Sequence, residues 1–180
     1  MAINKPFNLN KWIEQNRDLL KPPVGNKNIY KESEDYIVMI VGGPNARKDY
    51  HYNETEELFY QLEGNIELHV QENGEKITMK LGPGDMYLHP AKVPHLPVRH
   101  EGSIGLVIER KRVGEDAEDG LLWFCDKCNN KLYEVYFPLQ DIETDFLKHF
   151  KHFYGSKDLR TCNKCGTVMP VDKLFTADDD

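Results

Sequence analysis

Two histidines and a glutamate are spaced in a way that suits a metal site. His51 and Glu57 flank the polar bend Asn53-Glu54-Thr55, and His95 lies on a later segment. Two imidazoles and one carboxylate on one face of an ion leave the opposite coordination positions open, as in non-haem iron(II) oxygenases. A substrate and O2 need those open positions. These three residues therefore predict an iron site that uses O2, if the fold brings them together.

Strand alternation predicts which charged side chains share this site. Residues two apart in a strand point to the same face. Arg47 and Asp49 therefore lie on the side of His51, and Arg99 lies on the side of His95. An arginine suits an anionic carboxylate or a partly reduced O2.

A further carboxylate, Glu109, is placed by a predicted hairpin. If residues 99 and 109 pair across a turn near Ile104, Glu109 points the same way as Arg99. The expected cavity then holds three metal ligands, two arginines and one additional carboxylate.

Four cysteines form a second candidate metal site. They occur as two C-x-x-C pairs, Cys125 with Cys128 and Cys162 with Cys165. One such pair could be redox-active, but two pairs can close a tetrahedral site of four thiolates around zinc or iron. Because the cysteines fill all positions of such an ion, we expect it to be structural and not catalytic.

The elements that position these residues are mainly β-strands. The strand-like segments are 36–41, 58–62, 66–70, 77–79, 85–88 and 104–108. Turn residues separate them, and many short strands at close spacing predict an antiparallel sandwich or barrel. An amphipathic helix is predicted over 8–20, stopped by Pro22 and Pro23, and another over 141–153.

The polar, acidic run 113–120 predicts a division of the chain. We expect a catalytic domain at 1–112 that includes the N-terminal helix, a linker at 113–120, and an extension at 121–180 with the four cysteines.

Composition excludes several classes of protein. The 180 residues are 39% hydrophobic and 29% charged, and the formal charge is −7 without a basic cluster, which argues against a nucleic-acid partner. No apolar stretch is long enough to cross a membrane, and no secretion signal is visible. We therefore expect a cytoplasmic protein whose cysteines are reduced.

Two motifs of the chain resemble those of the cupin family. The residues that match are His51, Glu57 and Gly64 in the first motif, and Gly84, Pro90 and His95 in the second. Asn53 stands at the place of a second histidine, so the four-ligand form of the cupin site is absent. Lys92 and Arg99 also depart from common cupins, which argues against seed-storage and sugar-isomerase members. The resemblance implies a cupin-type β-barrel, a double-stranded β-helix or jelly roll.

Further segments resemble one cupin group, the 3-hydroxyanthranilate 3,4-dioxygenase family. The segments are 21–26 (KPPVGN), 41–45 (VGGPN), 49–51 (DYH), 59–61 (FYQ), 93–95 (VPH) with Pro97 and Arg99, and 108–110 (IER). Together they extend over nearly the whole chain.

The family resemblance implies a role for each candidate residue. The residues that would hold catalytic Fe2+ are His51, Glu57 and His95. Arg99 and Glu109 match substrate-binding residues, with Arg99 at the substrate carboxylate, and Glu57 is expected to touch the substrate as well. Arg47 matches a residue near bound O2. Glu109 is placed to accept a proton from the substrate amino group.

The resemblance also implies a reaction. Both atoms of O2 enter 3-hydroxyanthranilate, and the product is 2-amino-3-carboxymuconate semialdehyde. This product closes to quinolinate, a precursor of NAD in tryptophan degradation. The cysteine pairs resemble the rubredoxin-like site of some family members, which implies iron, although zinc suits the same thiolates. A homodimer is implied too.

Two other interpretations stay open at this point. The chain could be a cupin dioxygenase for another aminophenol, a catechol or a thiol, in which case Arg99 and Glu109 would face a different substrate. It could instead be a non-catalytic cupin sensor or binding module with a zinc ribbon for a partner. That class predicts an exposed basic or aromatic face around the cysteines.

Overall fold

The computed structural model of the chain describes residues 5–21, 25–45, 47–112, 118–139 and 144–171. The helices are α1 (Leu9–Asn16), a 3-10 turn (Arg17–Leu20), α2 (Asp145–Gly155) and α3 (Lys157–Arg160). The strands are β1 (Asn26–Asn28), β2 (Tyr36–Gly42), β3 (Asp49–Tyr52), β4 (Glu57–Glu63), β5 (Ile66–Glu72), β6 (Glu75–Leu81), β7 (Met86–His89), β8 (His95–Arg99), β9 (Ile104–Arg110), β10 (Asp119–Phe124) and β11 (Lys131–Phe137).

The strands form two antiparallel sheets. One has the order β1-β2-β9-β4-β7, and the other has the order β11-β10-β3-β8-β5-β6. Along β4, Phe59 is buried while Leu58 and Tyr60 are half-buried, the alternation of a strand with one face in a core. The prediction of a mainly β, cupin-type architecture is confirmed.

One apolar cluster joins the inner faces of the two sheets. It contains Phe59 and Val107 from the five-stranded sheet and Leu68 and Val70 from the six-stranded sheet. Each such side chain contributes about 1.5–3 kcal/mol when it is fully buried. The sheets are therefore held face to face, and polar side chains at one end of this interior can converge.

The N-terminal helical segment is confirmed, but it has two parts. The side chain of Asn8 accepts a hydrogen bond from the backbone of Lys11 at 2.9 Å and caps α1, which ends at Asn16 before the 3-10 turn. Ile13 is buried against the outer side of β2, where it meets Ile40. Pro22 and Pro23, which are predicted to stop the helix, lie outside the described residues, as does Val24.

The segment after residue 118 belongs to the sheet. The predicted linker ended at residue 120, but Asp119 and Gly120 already lie in β10, which pairs with β3 on one side and β11 on the other. Residues 113–117 are not described. The run Leu121–Trp123 is fully buried, and this burial favours a central strand over a connection.

The helix predicted over 141–153 is α2, and it begins and ends slightly later. Residues 141–143 lie outside the described part. Phe146, Phe150 and Phe153 face an apolar cluster with Leu121 and Trp123. Among the helices that the structure describes, none has the length and apolar character needed to cross a membrane.

Candidate active site

The two candidate histidines lie side by side in the six-stranded sheet. His51 on β3 and His95 on β8 are direct partners across the ladder, and their ring centroids are 5.4 Å apart. Glu57 begins β4 in the facing sheet and approaches both rings. One ligand atom from each of the three residues lies within 4.8 Å of the others. The structure therefore brings the three residues together at one end of the interior.

Burial and mutual contact set the charges of this group. Burial alone would raise the pKa of Glu57, but the nearby His95 and His51 lower it to about 2. Its Oε2 lies 3.0 Å from Nε2 of His95. Burial lowers the pKa of His51. An ionised carboxylate and a neutral imidazole are the forms that bind a metal ion.

A third histidine borders the group. The ring centroid of His89 is 4.3 Å from that of His95, and its Nε2 is 2.8 Å from the carbonyl of Val93. Burial, followed by the charge of His95, lowers the pKa of His89 to about 4. His89 is thus a neutral core histidine.

Arg99 is the last residue of β8, and its side chain is buried. It is 3% exposed, and its Nε and Nη1 have no hydrogen-bond partner among the residues that the structure describes. A Cβ at Gly105 would lie 2.9 Å from Nη1, so a side chain at this position would require the guanidinium to shift. Burial lowers the pKa of Arg99 to about 10, which leaves it charged at neutral pH.

The predicted hairpin between residues 99 and 109 is wrong. Arg99 lies on β8 of one sheet, whereas Glu109 lies on β9 of the other and faces Glu57 across the ladder. The turn after Arg99 includes Gly102 with a φ of 73°, and it carries the chain from one sheet to the other. Arg99 and Glu109 are therefore both buried at the interior, but they enter from opposite sheets.

Glu109 is a buried carboxylate with a raised pKa. Burial, reinforced by the charge of Glu57, raises its pKa to about 8, despite a cation at Arg112 whose Nη1 is 3.0 Å from Oε2. Asn53 donates to the same Oε2 at 3.1 Å. Oε1 has no partner among the described residues. The position of a second cupin histidine is thus filled by an amide that holds Glu109.

Arg47 precedes β3 and is paired with Asp49. Its Nε donates to Oδ1 of Asp49 at 3.0 Å, and its Nη2 also contacts that carboxylate. The guanidinium lies 5.4 Å from the ring centroids of both Phe146 and Phe150. Phe146 is in turn 5.3 Å from the ring of His51. Helix α2 therefore forms a wall beside the arginine and the first histidine.

Asp119 and Arg112 were missed as site residues. Asp119 is completely buried, and its Oδ2 lies 2.6 Å from Nε2 of His51. Arg112 contacts both Asp119 and Glu109. The sequence did carry a signal, because Asp119 shares strand parity with the apolar Leu121 and Trp123. The acidic residues before Asp119 made the segment look like a solvated linker.

Comparison with known proteins decides the family. The model of a protein family described as "3-hydroxyanthranilic acid dioxygenase" matches residues 1–154 of the chain. This chain belongs to that family. A 3-hydroxyanthranilate 3,4-dioxygenase of Xanthomonas campestris pv. campestris (strain 8004) is 55% identical over 172 residues, which cover 96% of each chain. One of Bacillus thuringiensis (strain Al Hakam) is 44% identical over 165 residues, which cover 91% of each chain.

The similarity to solved structures covers part of the chain. A cupin-2 domain-containing protein from Shewanella frigidimarina has a TM-score of 0.42 and 20% identity, and the match covers 57% of this chain and 91% of that one.

The four cysteines of this family member meet in one cluster. The Sγ atoms of Cys125 and Cys165 are 3.6 Å apart, as are those of Cys128 and Cys162. A tetrahedral ion with metal–sulfur bonds of about 2.3 Å requires sulfur–sulfur distances of about 3.8 Å. The thiols are free, and together they are suited to one tetrahedral metal ion.

Local turns shape each half of the cysteine cluster. The backbone N–H of Asn129 donates to the carbonyl of Cys125 at 2.9 Å, and that of Gly166 donates to the carbonyl of Cys162 at 2.9 Å. Asn129 and Gly166 both have positive φ, 57° and 72°, which suits asparagine and glycine. The two hydrogen bonds between the side chains of Asn129 and Gln71, at 2.7 and 2.9 Å, tie the cluster to β5.

Proposed function

We propose that this enzyme, a dioxygenase of the oxidoreductase class, opens the ring of 3-hydroxyanthranilate with O2. The product is 2-amino-3-carboxymuconate semialdehyde, which closes to quinolinate. The observation that carries the proposal is the buried group of His51, Glu57 and His95 in a chain that is 55% identical to a named 3-hydroxyanthranilate 3,4-dioxygenase.

The three residues suit ferrous iron. Two imidazoles and one ionised carboxylate come from facing sheets, and all three residues are buried. Such a set occupies one face of the ion. Iron(II) held by these residues would supply open coordination positions for the substrate and O2. Of the three residues, Glu57 also lies opposite Glu109, on the side where the substrate is expected.

Arg99 and Glu109 are proposed to hold the substrate from opposite sides. Arg99 carries a buried charge whose Nε and Nη1 lack partners in the described part of the protein, so an anionic carboxylate there satisfies both charge and hydrogen bonds. The free Oε1 of Glu109 can accept a hydrogen bond from the substrate amino group. The pKa of Glu109 is raised to about 8, which is close to neutral pH, and a general base works best when its pKa lies near the working pH.

Arg47 is proposed to lie beside the dioxygen. Its position is supported by the contact with Asp49 and by the rings of Phe146 and Phe150 beside the guanidinium. Phe146 also contacts His51, so apolar surface lies on this side of the proposed metal site. A cation in such surroundings stabilises negative charge that develops nearby more strongly than it would in water.

The test is ring opening by iron-loaded protein. The protein is loaded with Fe(II) without O2, and the ring-opened product is followed by absorbance after 3-hydroxyanthranilate and O2 are added. We expect turnover by the wild type, and loss of both iron binding at this site and turnover in His51→Ala, Glu57→Ala and His95→Ala. Normal activity in any of the three variants would refute the ligand set. Equal turnover of a catechol that lacks the carboxylate would refute the substrate.

The cysteine cluster is proposed to hold a structural iron or zinc ion. All four thiolates would surround the ion, so it has no open position for a reaction. Replacing the four cysteines by serine should lower the metal content and the stability, while some turnover at the other site persists. Metal analysis separates iron from zinc, and an unchanged metal content would exclude the proposal.

We also propose a cytoplasmic homodimer. The free cysteines suit a reducing compartment. At the edge of the five-stranded sheet, strand β7 exposes Met86 and Leu88, which are 68% and 54% exposed. An open edge with apolar side chains favours pairing with a second chain. Light scattering should give twice the chain mass, and Met86→Lys should reduce it to that of one chain.

A further inference from the structure

We propose that Asp119 is a positioning residue that holds the His51 ring for metal binding, and that Arg112 fixes Asp119 in place. This inference rests on the proposed function, because it takes His51 as a ligand of the catalytic ion. It adds two residues to the site that lie outside the ligand set and outside the predicted substrate contacts.

The contact between Asp119 and His51 is short and buried. Oδ2 of Asp119 lies 2.6 Å from Nε2 of His51, and the aspartate is 0% exposed. Strand β10 lies next to β3, with Leu121 opposite His51, so Asp119 is two residues along the same face. Both elements belong to one sheet, and the geometry is therefore held by backbone ladders on both sides of β3.

The charge of Asp119 determines which nitrogen of His51 carries hydrogen. The Arg112 guanidinium contacts both oxygens of the Asp119 side chain, and such a paired contact forms with an ionised carboxylate. An ionised carboxylate can only accept hydrogen bonds. Nε2 of the neutral His51 ring must then be the donor, and the lone pair lies on Nδ1, which is 4.0 Å from Oε2 of Glu57.

Arg112 links this carboxylate to the substrate side. Its Nε contacts Oδ1 of Asp119, and its Nη2 donates to Oδ2 at 2.5 Å, so the aspartate is held by two parallel contacts. Its Nη1 lies 3.0 Å from Oε2 of Glu109. One guanidinium therefore holds the aspartate that orients His51 and the glutamate that faces the substrate.

The test compares Asp119→Asn with Asp18→Asn. Asparagine keeps the shape but removes the charged acceptor, and Asp18 is an exposed control that pairs with Lys21 at 2.5 Å. Fe(II) affinity is measured by chelator competition without O2, and the iron–nitric oxide complex is examined by EPR. We expect about 10- to 100-fold weaker iron binding and an altered EPR spectrum in Asp119→Asn alone. Wild-type affinity together with a wild-type spectrum overturns the inference.

A measurement on the wild type decides the matter if Asp119→Asn does not fold. Long-range ¹H–¹⁵N NMR of the protein freed of iron reports the tautomer of His51. We expect hydrogen on Nε2, and hydrogen on Nδ1 contradicts the role of Asp119. His51→Ala separates this outcome from failure of the proposed function: if that variant binds iron normally, the ligand set is wrong, whereas loss of iron there with an unaffected Asp119→Asn removes only the positioning role.

Discussion

Replacing Arg99 by methionine should strengthen the fold and weaken substrate binding. Methionine keeps an unbranched stem but removes a guanidinium that is 3% exposed and has two nitrogen atoms without partners among the described residues. The opposite signs of the two effects distinguish a residue kept for binding from one kept for packing.

The stability effect follows from the pKa of Arg99. Burial lowers this pKa from its usual value to about 10, which corresponds to roughly 3 kcal/mol of unfolding free energy at 1.36 kcal/mol per pKa unit. Because the folded pKa lies below the unfolded one, this cost is present in full below pH 10 and is relieved only as the pH rises above it. At about 2–4 °C per kcal/mol, its removal raises the Tm by about 6–12 °C, before a deduction for lost packing.

The binding effect has the opposite sign. Loss of one partner of a buried charge pair costs about 2–5 kcal/mol, or about 30- to 4000-fold in Kd. We therefore expect Arg99→Met to raise KM for 3-hydroxyanthranilate much more than it lowers kcat. Anaerobic calorimetric titration measures Kd, and scanning calorimetry of the metal-free protein measures Tm.

Arg110→Met is the matched control, because Arg110 is the exposed residue that follows Glu109. We expect it to change neither Kd nor Tm by much. A Tm of Arg99→Met several degrees below the wild type would mean that the guanidinium is well satisfied in the free protein. An unchanged Kd would mean that it does not hold the substrate. Either result contradicts the reasoning.

Two further predictions concern the oxygen side and the pH dependence. Phe146→Leu removes a ring 5.4 Å from the Arg47 guanidinium, so KM for O2 should rise several-fold. The control is Phe153→Leu in the same apolar cluster, which should lower stability without changing KM for O2. Equal KM values for O2 in the two variants would contradict the role of Phe146. Glu109 has a pKa raised to about 8, so as the pH falls below 8 it becomes protonated and kcat/KM should drop about tenfold per pH unit. Initial rates from pH 6 to 9 test this, and a flat profile would exclude a basic role for Glu109.

Local patterns in the sequence were enough to pick out the candidate ligand groups that the structure brings together. His51 and Glu57 are joined by a short polar bend, and the structure has β3 and β4 on either side of it. The two C-x-x-C pairs likewise depend on tight turns at Asn129 and Gly166. The alternation of side chains also gave the mainly β fold, since a period of two is a property of each strand by itself.

Tertiary structure alone decided which strands lie next to each other. Alternation assigns a side chain to a face, but it does not name the facing strand. The hairpin expected for Arg99 and Glu109 was wrong for this reason, because the two residues enter from opposite sheets.

The same reason explains why the sequence predicts a linker that includes Asp119. Its acidic neighbours suggested exposure, whereas the pairing of β10 with β3 buries it against His51, 68 residues earlier in the chain. The sequence by itself thus determined which chemical groups are available and which strand faces carry them. The packing of sheets and helix α2 determined which groups touch, because contacts between distant residues depend on strand order and not on local spacing.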